Sequence, residues 1–295
     1  MLFVVFVTES FCATVSTKPT PNQVTSACTA ATTSPACKEA NGFKENLDSS
    51  VLIKMEFDGT LSISGIPEKK ISVEVIGKKP IYIAGISGKA LVVRNQNPIQ
   101  GICLHLANGF PKTTGSVSLW VCPLDWSVKD KYHHMFLSGD FQKPQQNAKK
   151  MEEKKTTFTP FSLYKYAQPH GLGVYWYCCR DIKGNPSGLN HPSSAMGNWK
   201  RRSWHHIVMT WDKGQADDQT DSYMALYVDG ARSDFRNPAS FDFADAVDLF
   251  LGAAWGGPGQ TAVDELILYN RPLSDSEVGA LFAETMETYW KRRTQ

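Results

Sequence analysis

Most of the motifs that would identify an enzyme quickly are missing from this chain. There is no Glu-x-Asp-x-x-Glu triplet, no Gly-x-Ser-x-Gly and no Cys-x-x-Cys, and no Cys/His cluster suggests zinc. The first absence removes the obvious pair of carboxylates that would flank a scissile glycosidic bond. The second removes a nucleophile elbow, and the third a thiolate metal spacing. Charge of one sign is also lacking. Thirty-one Lys and Arg against 29 Asp and Glu leave a formal +2, so no global field recruits nucleic acid or an anionic membrane. The basic runs Lys200-Arg201-Arg202 and Lys291-Arg292-Arg293 read as a solvated loop and a solvated helix end. No apolar run reaches the about 20 residues that a spanning helix needs. There is no Asn-x-Ser/Thr acceptor free of Pro, and no periodic repeat.

What is present begins with Met1-Leu2-Phe3-Val4-Val5-Phe6-Val7, followed by small Ser10 and Cys12. Residues 1–13 read as a secretory signal, although no Lys or Arg precedes the apolar run. The alternative is an apolar tail or a partner-binding strand. Seven cysteines occur, at 12, 28, 37, 103, 122, 178 and 179. Loss of Cys12 with a signal would leave an even six, enough for three bridges, with Cys28 and Cys37 a plausible pair. The alternative is reduced thiols acting as small buried hydrophobes. Residues 14–46 are rich in Thr, Ser, Ala and Pro and cannot bury enough surface to offset their ordering entropy. They read as a linker or stalk leading to one folded domain over 47–290.

That domain is a series of short alternating runs broken by Gly, Pro and Asp-Gly turns. Val51–Phe57 ends at Asp58-Gly59, and runs follow at 71–76, 81–86, 90–93, 102–106 and 116–122. Further strands are read at 161–166, 172–179, 204–211, 224–228 and 263–269, with polar loops over 142–157 and 181–203. One helix is expected, opening with the capping box Ser274-x-x-Glu277. Val278, Leu281, Phe282, Thr285, Met286 and Tyr289 then recur at helical spacing. The pattern predicts an all-β fold, a two-sheet antiparallel sandwich closed by a short C-terminal helix.

Taken in order, several landmarks resemble the laminin-G-like branch of the concanavalin A-like lectin/glucanase superfamily. They are Phe57-Asp58-Gly59, Gly88-Lys89-Ala90-Leu91, Gly115–Val121, Trp204–Trp211 (WHHIVMTW), Leu226–Gly230 (LYVDG) and Val263–Ser274 (VDELILYNRPLS). The resemblance covers roughly residues 50–285 and implies a jelly-roll sandwich with one convex and one concave sheet. The segment 60–87 and the insertions at 142–157 and 181–203 depart from the pattern. Whether 60–87 joins the sandwich or forms an added hairpin stays open. The resemblance also implies a structural calcium ion held by Asp58 and Asp264 with a carbonyl from Gly88. The other reading is that Asp58 makes its turn and Asp264 bonds backbone amides.

Residue types that look catalytic do not assemble along strands. Asp264-Glu265, His205-His206 and His133-His134 are each adjacent, so strand alternation sends the two members to opposite faces. Aromatic residues are the better handle. Trp199 and Trp255 lie in Gly/Pro/Asn-rich loops, and Tyr175 and Tyr177 share one side of a strand that could line the concave sheet. Their faces can stack on sugar rings, although the loop tryptophans could equally plug the ends of the sandwich. The reading that follows is a secreted or cell-surface, non-catalytic domain binding a glycan or glycoprotein, without nucleic acid or a membrane span. The alternatives are a structural protein–protein interaction module within a larger assembly, and a glycoside hydrolase or lyase with a non-standard site.

Overall fold

The structure is a computed structural model. It describes residues 47, 49–65, 71–96, 98–106, 109–139, 161–166, 173–178, 193–197, 199–214, 222–236, 248–252 and 256–294. The chain divides into two units, residues 1–48 and 49–295. The signal and stalk read over 1–46, and the loop over 142–157, lie outside the described residues.

The second unit is built of antiparallel strands. In chain order these are β1 (Val51–Met55), β2 (Ser64–Gly65), β3 (Ser72–Gly77), β4 (Ile81–Ala84), β5 (Lys89–Arg94) and β6 (Gln100–His105). There follow β7 (Thr114–Pro123), β8 (His134–Gly139), β9 (Phe161–Lys165), β10 (Gly173–Cys178) and β11 (Ser193–Ala195). The last are β12 (His205–Asp212), β13 (Tyr223–Val228), β14 (Ala231–Arg236), β15 (Asp248–Gly252) and β16 (Gln260–Tyr269), before helix α1 (Asp275–Arg293). The expected sandwich is present, with one correction. Its two layers are hydrogen-bonded into a single curled sheet, because β5 and β6 meet at one pair, Arg94–Gln100. On one side of that pair lie β3, β6, β15, β8, β9, β10 and β11. On the other lie β4, β5, β16, β7, β12, β13 and β14, with β1 on β16 and β2 on β1. The curl brings β11 against β13 and β14. Within the segment 60–87, the described strands belong to the sandwich, since β3 edges the first layer on β6 and β4 edges the second on β5.

Alternation sorts the side chains. Ile102, Leu104, Leu249, Leu251, Leu137 and Leu163 of the first layer face Leu91, Val93, Val117, Leu119, Ile207, Met209 and Leu226 of the second in one core. The other face of the second layer is covered by α1. Phe282 stacks on Trp120 at 5.6 Å, and the Tyr227 hydroxyl donates to Asp275 Oδ1 at 2.7 Å. The capping box forms as its sequence predicts. Ser274 Oγ accepts from Glu277 N, and the Glu277 carboxylate accepts from Ser274 N and pairs with Arg271.

His206 is buried under this helix, 4.9 Å from the Trp120 ring and 2.8 Å from Ser118 Oγ. Burial holds its pKa down to about 4, against a smaller upward pull from Asp229. A depressed histidine favours the neutral ring in the fold, so its contribution is lost as pH falls from about 6.5 toward about 4. Over that full window it amounts to roughly 3 kcal/mol. Urea unfolding of His206→Gln should show a lower stability near neutrality and a shallower decline across this window than the parent protein.

Candidate functional site

The turn between β7 and β8 carries a buried polar network at one end of the sandwich. Asp130 Oδ1 accepts from Tyr132 N at 3.0 Å, the side-chain-to-backbone bond that closes an Asx turn. Lys165, at 0% exposure, spends its ammonium on Asp130 O (2.7 Å), Asp130 Oδ1 (2.7 Å) and Tyr132 O (2.8 Å). A buried ammonium is tolerable here because all three donors are used and one acceptor is ionised. His134 Nε2 lies 2.8 Å from Asp130 Oδ2 and its ring stacks on Trp126 at 4.3 Å, while Trp126 Nε1 donates to Thr261 Oγ1. Burial alone would raise the Asp130 pKa. The bonds from His134 and Lys165 outweigh it and bring the carboxyl down to about 2.

This network fixes an aromatic rim. Tyr132 stands 42% exposed, held by the Asx turn at its N–H and by Lys165 at its carbonyl. Gly257 packs so closely that a Cβ there would come within 2.4 Å of Tyr132 Cβ, and Gly257 N donates to His133 O. His133 meets Tyr166 edge-on at 4.9 Å and Tyr164 at 5.6 Å. Burial, then the charges of Lys165 and His134, lower its pKa and favour the neutral imidazole. Lys131 Nζ lies 5.5 Å from the Tyr132 ring centre. As alternation predicts, His133 and His134 face opposite ways. The sequence reading passed over Asp130, Tyr132, Lys165 and Tyr166. The only local signal was the i, i+4 pair Asp130 and His134 flanking an aromatic residue.

Of the residues expected to bind ligand, Trp199 is 7% exposed. It is committed to packing, with its face against His205 at 4.0 Å and Phe136 at 6.3 Å. It plugs the sandwich instead of presenting a stacking surface. Trp255 and the side chains of Tyr175 and Tyr177 lie outside the described residues. Backbone register pairs Tyr175 with Tyr164 and Tyr177 with Ser162. His205 lies between Ser203 Oγ (2.8 Å) and Asp229 Oδ2 (2.9 Å), an order reminiscent of a hydrolase triad. The Ser203 hydroxyl, however, lies 2.6 Å from the Lys200 carbonyl and accepts from Lys200 N. It therefore closes a turn that anchors β12 to the hairpin at Asp229-Gly230.

Asp58, Asp264 and Gly88, the expected metal set, are brought together by the β4–β5 turn. Gly85 N donates to Gly88 O at 3.0 Å, Lys89 N to Asp58 Oδ1 at 2.7 Å, and Ser87 N to Asp264 Oδ2 at 3.1 Å. Gly88 has φ +54, and a Cβ there would sit 1.8 Å from Asp58 Oδ1, so only glycine fits. Phe57 (φ 53) and Glu265 (φ 47) hold left-handed backbone beside the two acids. Asp264 is fully buried, and burial pushes its pKa up to about 8 despite the amides it accepts from. Glu265 is raised as well, by burial first. The carboxylates of Asp58 and Asp264 beside the loop carbonyls are hard oxygen donors of the kind calcium takes.

Asp130→Ala should strand the Lys165 ammonium and lower unfolding stability by about 3–5 kcal/mol. Adding Lys165→Met in the same chain should recover part of that loss. Denaturant titrations of the two single variants and the double variant measure the coupling.

No curated protein matches the chain. Among solved structures, it is similar to the botulinum neurotoxin serotype D binding domain, with a TM-score of 0.58 at 10% identity over 80% of this chain and 52% of that one. The botulinum neurotoxin type G receptor binding domain gives 0.55 at 11%, over 80% and 51%. A further structure of the type D receptor binding domain gives 0.59 at 10%, over 81% and 53%. The chain thus spans about half the length of these structures, and at such identity the likeness is one of fold. Residues 173–279 match a laminin G model described as the Concanavalin A-like lectin/glucanases superfamily. The resemblance to the concanavalin A-like lectin/glucanase superfamily, first carried by the landmarks between Phe57 and Ser274, is therefore shown over that stretch and matched by the fold.

Proposed function

We propose that the chain is a non-catalytic recognition domain for a glycan or glycoprotein, with the rim around Tyr132 as its contact surface. A binding module is the reading that the lectin-like fold supports, though function is not set by fold alone. The observation that carries the finer reading is the use of buried Lys165 and His134, joined through the partly exposed Asp130, to hold a half-exposed tyrosine in place. Rigid aromatic rings beside a neutral histidine and a cation offer sugar rings an apolar face and polar groups for hydroxyls. Preorganisation also removes the ordering cost that a mobile loop would carry.

The domain's setting, secreted or at the cell surface, is part of the proposal, as is a calcium ion on Asp58 and Asp264 with the Gly88 carbonyl. The ion would neutralise Asp264 and lock the β4–β5 turn; it would take no part in chemistry.

Two measurements test these readings. On a glycan array, the full chain should give discrete hits that weaken about tenfold in Tyr132→Ala, near 1.4 kcal/mol, with melting unchanged. A silent array, together with co-purifying protein partners, would favour a structural interaction module instead. For calcium, the raised Asp264 pKa makes the sign definite. Without the ion, this group's contribution is full below about pH 4 and is lost as pH rises toward about 8. Calcium should raise the melting temperature most at the upper end of that window, and Asp264→Asn should abolish the response. An unchanged melting temperature on calcium addition and chelation removes the assignment.

A further inference from the structure

The outer face of the first layer holds a cluster outside the rim and the acid turn. On β6, Cys103 and His105 are two residues apart and so share a face, opposite Ile102 and Leu104 in the core. Register aligns Asp248 of β15 with His105, and Glu74 of β3 with Cys103. Three strands thus bring four potential ligand groups to one patch. His105 Nδ1 lies 2.9 Å from Asp248 Oδ1 and 3.8 Å from Cys103 Sγ, and His105 Nε2 lies 3.2 Å from Glu74 Oε2. The sulfur, the Nδ1 nitrogen and the Asp248 oxygen all fall within 4.8 Å of one another.

We propose that Cys103, His105 and Asp248 form a binding site for a borderline divalent transition ion of the zinc type. The donor chemistry supports it. Thiolate, imidazole and carboxylate are the three ligand types zinc takes, and one thiolate plus one carboxylate neutralise its charge. The spacing also suits it. Metal–sulfur and metal–nitrogen bonds of about 2.3 and 2.0 Å at a tetrahedral angle put the two donor atoms about 3.5 Å apart. The observed 3.8 Å is within a few tenths of that. Glu74 adds the orienting contact. By accepting from Nε2–H it leaves the Nδ1 lone pair directed at the sulfur and Asp248, the arrangement in which a carboxylate holds a metal-ligating histidine. Cys103 carries a thiol, buried at 1% exposure, while His105 and Asp248 are half-exposed. The ion would therefore have a dry sulfur side and a wet side, where water completes four-coordination. Binding releases the thiol proton to solvent, and no redox change is involved. The same ion would tie the edge strand β3 and the inner strands β6 and β15 together across their outer surface.

The competing account is His105 clamped by hydrogen bonds between Glu74 and Asp248, with Cys103 a packed thiol. Cobalt(II) titration of the full chain, reduced and stripped of metal, separates the two. The site should give a thiolate-to-cobalt charge-transfer band in the near ultraviolet and strong visible ligand-field bands, saturating at one ion per chain and displaced by zinc. Cys103→Ser should abolish the charge-transfer band. Glu74→Gln, at a half-exposed position that folding tolerates, should keep the band and weaken affinity about 10- to 100-fold. Absence of a band in the folded parent chain overturns the proposal. So does a band that survives Cys103→Ser, since another of the seven cysteines would then be the ligand.

Discussion

The second layer depends on one interruption in its central strand. β16 pairs with β7 along one edge. Its other edge is divided between β5, over Gln260–Val263, and β1, over Leu266–Tyr269. Two strands can share one edge only if the ladder breaks between them, and the break falls at Asp264–Glu265. Glu265 takes φ 47, and Asp264 turns its carboxylate inward to accept from Glu265 N and Ser87 N. The carboxylate thereby satisfies backbone donors that the missing ladder would have left bare. It also holds the β4–β5 turn, so the register of the whole layer is tied to one buried acid. The cost is that burial disfavours the ionised form of this acid and raises its pKa.

Several other polar groups of the sandwich tie strand ends to neighbouring turns or to the helix. Lys165 ends the first layer's core face and closes the turn before β8. His205 and Asp229 join the start of β12 to the hairpin after β13. His206, pointing the other way, is kept neutral beneath α1. These are buried or half-buried networks whose value lies in fixing loop geometry more than in raw stability.

Much of this frame was legible in the sequence. Alternation in WHHIVMTW and LYVDG, the Asp-Gly turns and the Ser274 capping box each state a local geometry that the fold keeps. The separation of His205 from His206, and of His133 from His134, follows from the period of two alone. The binding features were less visible for a physical reason. Trp199 looked like a loop aromatic available to ligand, but only tertiary packing decides whether a ring meets a sugar or His205. Lys165 gave no sign of burial, because its partners Asp130 and Tyr132 belong to a turn more than thirty residues away. Cys103 and His105 show the same limit. The spacing Cys-x-His does place both on one strand face, yet Asp248 reaches them through a pairing that spans 143 positions.

That last case bears on where this fold keeps its chemistry. One layer's outer face is consumed by α1 through Trp120, His206 and Tyr227, so its polar groups serve the helix. Among the described residues, α1 does not cover the other layer, whose outer face carries half-exposed polar and aromatic groups. His105 and Asp248 lie on the inner strands β6 and β15 beside Glu74 on the edge strand β3, and Tyr132, His133 and Tyr166 lie at the end of the layer. A sheet is stiffer than a loop, so ligands set on it hold their spacing without further support. An ion in mid-sheet would act on the inner strands β6 and β15, and β8, which carries the rim, pairs directly with β15. Metal occupancy and the rigidity of the rim would then be coupled through one strand, with no loop movement between them.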